Sequence, residues 1–373
     1  GGFYSSLDAD SLNENEELEE GSYYVWKEDE LKSLLGDDFP IFQDYYNINS
    51  YGHWEKGNYV LIRDADNENI AKKYNLSEAE LMAVIVKSQK TLAKIRSERN
   101  RPRLDDKILT SWNGLMLKGL TDAYRYIGNE KYLQLALKNA NFIENNLIKK
   151  DGGLYHNHKN GRSTINGYLE DYASVIEAYI GLYETTFDVK WLLRSEALVT
   201  YCMENFYEEA NGMFAFTSKK DDFVIRKTIE TTDNVIPASN SIMAKNLFKL
   251  SKLFFNSKYE EIALQMLKNL REAMLENTQS HANWLQLALY FNQPFYEIAT
   301  VGENYRAITK EMSQEYLPNA IFAAAEKESQ LTILQERYMP SETLIYVCEH
   351  GACKLPVTDF EEALKQVQLH TPD

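Results

Sequence analysis

The sequence predicts a mainly α protein. It reads as an (α/α)6 toroid of helical hairpins, incomplete at its N-terminus, with β-hairpin excursions and a small C-terminal α/β appendage. Three observations predict this. A turn segment recurs about every sixty residues, apolar residues on both of its flanks repeat at spacings of three and four, and a glycine-aromatic stretch follows each later helix.

The recurring turn ends a helix on aromatic residues and restarts at a lysine-aromatic pair. It reads Tyr126-Ile127-Gly128-Asn129-Glu130-Lys131-Tyr132, then Phe187-Asp188-Val189-Lys190-Trp191, then Phe254-Phe255-Asn256-Ser257-Lys258-Tyr259. Before the first turn Leu115, Gly119, Leu120, Ala123 and Ile127 form one stripe; after it Tyr132, Ala136, Ala140, Ile143 and Leu147 form another. Short turns between such helices make antiparallel hairpins. Helices are expected near 76–99, 108–127, 130–148, 167–187, 189–206, 239–255, 258–276 and 280–292. A hairpin cannot bury its apolar face alone, so neighbours must stack, and a closed ring covers every edge. A full ring of six would need about four more helices upstream of Gly1.

The glycine-aromatic stretches are Gly153-Leu154-Tyr155 and Gly212-Met213-Phe214, followed by polar turn residues Asn157 to Gly161 and Ser218 to Asp222. These predict β-hairpins. The chain opens with the same element, Gly2-Phe3-Tyr4, and the repeat expects a helix before it. The last eighty residues depart from the pattern. Residues 297–302, 320–324 and 343–347 read as short buried strands with a helix between the first two, so the expected division is 1–294 for the toroid and 295–373 for an α/β appendage. The Gly302 turn is not a nucleotide fingerprint, because no Gly-x-Gly-x-x-Gly is present.

Composition bounds the function. Of 373 residues 44% are hydrophobic and 12% aromatic, ample for a large core, and the net charge is −16. That charge argues against nucleic acid and anionic membrane as partners, since both call for a basic face. No apolar run approaches the ~20 residues of a membrane span. Three cysteines are too few for a disulfide framework and favour a reducing compartment, here read as cytoplasmic. Cys348 and Cys353 meet neither the redox Cys-x-x-Cys spacing nor a four-ligand zinc pattern. The pair reads as buried or as an incidental disulfide. No metal or cofactor is expected.

The chemistry should sit just before the inner helices, where polar and aromatic residues mix. The clusters are Asp105-Asp106-Lys107 with Trp112-Asn113; Tyr168, Glu170, Asp171 and Tyr172; and Asp233 with Ser239-Asn240. Equivalent repeat positions should bring them to one end of the ring, beside helix N-termini whose amide donors suit oxygen-rich ligands. The opening segment adds Asp8, Asp10, Glu20 and Trp26 on the same reasoning. The plainer reading of Ser239 and Asn240 is helix capping. For Asp105 and Asp106 it is a cap plus pairing with Arg96, Arg99, Arg101 and Arg103. Aromatic faces beside carboxyls suit a sugar or other small polar ligand, with Trp26, Trp112 and Tyr172 as stacking walls.

Two acids flanking a bond are the minimum for glycoside hydrolysis. The candidate catalytic acids are Asp8, Asp10, Asp106, Glu170 and Asp171, with Glu20 beside them. A sugar epimerase would instead need a base able to remove a proton next to a carbonyl, usually histidine. Of His53, His156, His158, His281, His350 and His370, both His156 and His158 alternate on an expected strand and read as exposed. That leaves the epimerase reading the weaker one.

Taken together, these residues resemble a known family. Gly2-Phe3-Tyr4-Ser5, Asp8-Ala9-Asp10-Ser11, Glu20-Gly21, Tyr24-Val25-Trp26, Arg101-Pro102, Asp105-Asp106-Lys107 and Trp112-Asn113-Gly114 form one block. Glu170-Asp171-Tyr172-Ala173, Pro237 with Ser239-Asn240-Ser241, and Cys348 to Cys353 with Pro356-Val357-Thr358 complete it. Their order and spacing resemble the C-terminal part of the YyaL-like, spermatogenesis-associated thioredoxin-domain proteins. That resemblance implies a six-hairpin glycosidase-like toroid similar to N-acylglucosamine 2-epimerases, preceded by a thioredoxin-like domain absent from this chain. It also implies a second possible role, a non-catalytic scaffold that accompanies that domain.

Overall fold

The structure, a computed structural model, describes residues 1–221 and 227–367; Asp222 and His370, named above, lie outside the described residues. The chain divides into two compact units, Ser6–Asp106 and Gly1–Ser5 with Lys107–Asp373.

The unit Ser6–Asp106 holds α1 (Glu28–Leu35), α2 (Phe39–Tyr46), α3 (Asn67–Lys73) and α4 (Glu78–Glu98). Ser77 starts α4 with a reciprocal cap: its Oγ accepts from the Glu80 amide at 3.2 Å, and the Glu80 carboxylate accepts from the Ser77 amide at 2.8 Å. Three antiparallel two-stranded ribbons complete the unit. They pair β1 (Ser6–Leu7) with β6 (Leu104–Asp105), β2 (Asp10–Leu12) with β3 (Leu18–Glu20), and β4 (Trp26–Lys27) with β5 (Asn58–Tyr59). Trp26, Leu31, Phe42, Leu81 and Ile85 form its core. Of these helices only α4 matches an expected span, the one near 76–99.

The larger unit opens with β7 (Ile108–Leu109) and three helical hairpins: α5 (Thr110–Ile127) with α6 (Glu130–Asn146), α7 (Leu169–Thr186) with α8 (Lys190–Asn205), and α9 (Ser239–Phe254) with α10 (Ser257–Asn269). The recurring turn has one physical cause in all three. Gly128, Phe187 and Phe255 each take a left-handed conformation, with φ of 73°, 55° and 51°, which ends the first helix. The next residue, Asn129, Asp188 or Asn256, then accepts a hydrogen bond from the amide of the lysine two positions on, at 3.0–3.1 Å. The aromatic after that lysine is Tyr132, Trp191 or Tyr259, and the latter two are buried in the core.

α7 packs against both α5 and α9, so the first helices of the hairpins stand side by side with α7 buried along most of its length. Gly114 is required by this approach, because a Cβ there would lie 2.8 Å from the Cβ of Ser174. The helix expected over 258–276 is broken. Leu270 leaves helical geometry (φ −107°, ψ 10°), and α11 (Arg271–Glu276) restarts after it, followed by α12 (Ala282–Asn292) packed on α9 and α10.

The excursions are short ribbons. β8 (Asn157–Lys159) pairs with β7 on one side and with β9 (Arg162–Ser163) on the other, around an Asn160-Gly161 turn in which both residues have positive φ. β10 (Tyr207–Glu208) pairs with β11 (Met213–Phe214). The C-terminal sheet runs in the order β13-β12-β14-β15, with β12 (Tyr296–Val301) parallel to β13 (Ala320–Ala325) across α13 (Tyr305–Gln314) and antiparallel to β14 (Leu344–Glu349). β15 (Ala352–Cys353) and α14 (Phe360–Gln366) close it. The buried Glu184 of α7 accepts from the Phe322 amide of β13 at 3.2 Å, tying this sheet to the hairpins.

Candidate acid–base site at the start of helix α7

Each excursion strand is held by the start of the helix that follows it. Asn113 accepts from the Phe3 amide at 2.8 Å and donates to the Phe3 and Leu109 carbonyls. The Tyr172 hydroxyl accepts from the Leu154 amide at 2.8 Å. Asn240 accepts from the Phe214 amide at 3.0 Å and donates to the carbonyls of Phe214 and Glu230. Three residues expected to touch a ligand therefore clamp the backbone instead, and all three are buried. Asp233 works in the same way. Its oxygens accept from the amides of Ala238 and Asn283, both at 2.9 Å, and from the Ser241 hydroxyl. The Ser239 amide donates to Glu230.

Asn240→Ala is expected to cost about 2–4 kcal/mol, because it strands two carbonyls and an amide in the interior. Chemical denaturation checks this, and a loss under about 0.5 kcal/mol would contradict the clamp.

Asp171 lies in the first turn of α7, fully buried. Its Oδ1 accepts from the Ser111 amide of α5 at 2.8 Å, and its Oδ2 accepts from the Tyr168 amide at 2.9 Å. The His156 Nδ1 stands 2.9 Å from the same Oδ2. Burial lifts the Asp171 carboxyl above its ordinary range, while His156 and the two amides pull the other way. The bond to Asp171 raises His156 above its usual value, against the opposing effect of burial. A carboxylate on Nδ1 fixes the tautomer in which Nε2 carries the basic lone pair.

Glu170 completes the cluster, with its Oε1 4.0 Å from His156 Nδ1. Burial, then the neighbouring Asp171, push its carboxyl up to about 7, with Glu230 adding to the rise. An acid poised there gives or takes a proton near neutrality. Tyr168 lies between rings, 4.8 Å from the His156 centroid and stacked on Phe216 at 5.1 Å. Trp112, next to Ser111, is 46% exposed. Lys107 acts on His156 electrostatically.

The sequence expectation for His156 is thus corrected. Its side chain is only 17% exposed and is tied to Asp171. An alternating polar strand offered no sign of which side faced a helix. His158 is also half-buried, with Nδ1 2.9 Å from the Ser163 hydroxyl. Ligand atoms of His156, Glu170 and Asp171 lie within 4.8 Å of one another. Asp171, however, already holds three donors, which suits proton transfer better than metal ligation.

Six other residues named from the sequence (Asp8, Asp10, Glu20, Trp26, Asp105 and Asp106) belong to the unit Ser6–Asp106. Trp26 is 2% exposed, with the Arg99 guanidinium 3.9 Å from its ring centroid. Arg99 also donates to the carbonyls of Ser22, Tyr23 and Val25 and to Glu30. Asp8 accepts from Arg103 at 3.3 Å. Asp10 and Glu20 face each other across the β2–β3 ribbon, and Asp105 pairs with Ser6.

The chain therefore has the helical-hairpin architecture to which (α/α)6 toroids belong, with titratable side chains gathered where an inner helix begins. It is homologous over almost its whole length to spermatogenesis-associated protein 20. The human protein of that name is 26% identical over 96% of this chain and 51% of its own length. An uncharacterised protein of Caenorhabditis elegans is 30% identical over 97% of this chain and 54% of its own. The chain thus spans about half the length of the curated relatives it matches. No family model matches.

Solved structures that resemble it include sugar epimerases and glycoside hydrolases. Cellobiose 2-epimerase from Bacillus thermoamylovorans has a TM-score of 0.38 and 12% identity, covering 73% of this chain and 66% of that one. A sugar epimerase from a ruminal bacterium has a TM-score of 0.37 and 17% identity, covering 44% of each. Among the described residues no helix is long and apolar enough to cross a membrane.

Proposed function

We propose that this chain performs acid–base chemistry on a carbohydrate, with His156 as base and Glu170 as acid. The observation that carries the reading is the Asp171–His156 hydrogen bond beside a carboxyl raised to about 7. Asp171 orients the imidazole and compensates the charge that forms on it. His156 Nε2 removes a proton, and Glu170 donates one to the oxygen or carbon that becomes basic. Such a pair suits abstraction next to a sugar carbonyl, as in epimerisation. It suits hydrolysis less well, because Asp171 has no oxygen free of donors to attack an anomeric carbon or to activate water. The carbohydrate class is supported by aromatic side chains around the site, Tyr168 against His156 and the exposed Trp112 next to Ser111.

The rest of the reading rests on the sequence: a small sugar or glycan ligand on the mixed acids and aromatics, a toroid over 1–294 with an appendage over 295–373 on the repeat, a cytoplasmic location on the cysteine count, and a thioredoxin-like partner domain on the family resemblance. The test is to incubate reducing mono- and disaccharides with the protein in D2O and follow them by NMR. Deuterium should enter at the carbon next to the carbonyl, and His156→Gln should abolish it. Absence of exchange with every sugar, or exchange unchanged in His156→Gln, would overturn the proposal. Release of new reducing ends without exchange would assign hydrolysis instead.

A further inference from the structure

Glu297, Cys348 and Cys353 form a row across three neighbouring strands. Glu297 of β12 is directly opposite Cys348 of β14, and Cys348 is directly opposite Cys353 of β15. Cys348 and Cys353 are joined by a disulfide. The two sulfur-bearing residues differ sharply in environment, since Cys348 is 1% exposed whereas Cys353 is exposed.

The buried end of the bond has a cation on it. Arg337 Nη1 donates to Cys348 Sγ at 3.1 Å. The guanidinium lies 5.1 Å from the Tyr346 ring, whose hydroxyl donates to the Arg337 carbonyl at 3.0 Å. The tight turn His350-Gly351 joins β14 to β15 with both residues at positive φ, and its Gly351 amide donates to Glu297 at 3.0 Å. An arginine on one sulfur of a disulfide lowers the energy of the thiolate that leaves when the bond opens.

We propose that the Cys348–Cys353 hairpin is a thiol–disulfide exchange site served by a dithiol. One thiolate of the dithiol attacks the accessible Cys353 sulfur. A new mixed disulfide forms there, the Cys348–Cys353 bond breaks, and its electron pair leaves on Cys348, where Arg337 receives it. The second thiolate of the dithiol then attacks the first dithiol sulfur, closes a cyclic disulfide, and releases Cys353, which takes up a proton. The dithiol loses two electrons and two protons. The protein gains both electrons and one proton, and the other proton goes to solvent. Arg337 is a positioning residue in this scheme. The groups that face Cys348 are Arg337, Tyr346 and Glu297, with Lys252 and His350 acting on Glu297.

The test treats the native chain with reduced dithiothreitol, quenches with acid, and reads alkylation by mass. Cys202 is fully buried and free, so it reports unfolding. The expected result is labelling of the exposed Cys353 with the buried Cys202 untouched, and opening about tenfold slower in Arg337→Gln. Resistance of the bond to the reductant, or its opening only together with Cys202 labelling, would overturn the proposal. A Cys353→Ser variant isolates Cys348. Its thiolate midpoint, followed by ultraviolet absorbance, should rise when Arg337→Gln is added and return with Arg337→Lys. A midpoint indifferent to residue 337 would count equally against it.

Discussion

Asp171→Asn is expected to lower stability by about 3–5 kcal/mol, the range for breaking a buried charged pair while leaving its partners in place. Three donors converge on that carboxylate from α5, from the turn before α7 and from the β8 excursion. An amide side chain can accept from some of them, but it presents its own donor to another. The loss should depend on pH, and its sign follows from His156. The folded state holds the His156 proton more tightly than the unfolded chain does. Its contribution is therefore fully present below the unfolded value of about 6.5 and is lost as pH rises through the folded value. Asp171, also raised, acts with the same sign. Urea denaturation of both proteins at mildly acidic and at alkaline pH should show the gap narrowing upward. A gap under about 1 kcal/mol, or one that widens with pH, would remove Asp171 from the centre of the site.

Glu170→Gln should do two opposite things at once. Turnover of whatever sugar reports deuterium exchange should fall about 10²–10⁴-fold, the usual worth of a general acid. Stability at pH 8 should instead rise by about 1–3 kcal/mol, allowing for partial exposure of the group. The wild-type carboxyl titrates near 7 in the fold against 4.5 when unfolded. The folded state thus favours the protonated form, and that advantage disappears as pH rises from about 4.5 through 7. A glutamine carries no such penalty. Below pH 4.5 the two proteins should be equally stable. If the variant loses activity but gains no stability above neutrality, Glu170 is an ordinary ionised surface acid and the proton-donor role fails.

Much of the hairpin architecture was legible because its causes are local. The asparagine or aspartate two residues before a lysine repeats as letters in the chain, and apolar stripes mark α5 and α6. The helices α1, α2 and α3 carry no such repeated turn and were not read. The break at Leu270 depends on backbone angles rather than on a proline or glycine. At the site, Glu170 and Asp171 could be singled out because acids in a first helical turn are visible in sequence. His156 could not, since its burial comes from Asp171 fifteen residues later in the chain, packed against a ribbon whose polar residues alternate without an apolar face. The converse error has a matching cause. Asn113, Tyr172 and Asn240 recur beside the acids as binding residues would, yet their periodicity reflects a recurring structural task.

That division of labour bears on how such a chain can be rebuilt. Every hairpin brings its own bend code and its own staple to the strand before it, and neither borrows a side chain from a distant copy. A cassette cut at those two landmarks should be portable: copies could be exchanged between relatives, or shuffled in order, with the junction chemistry travelling inside each piece and only the packed faces left to be matched.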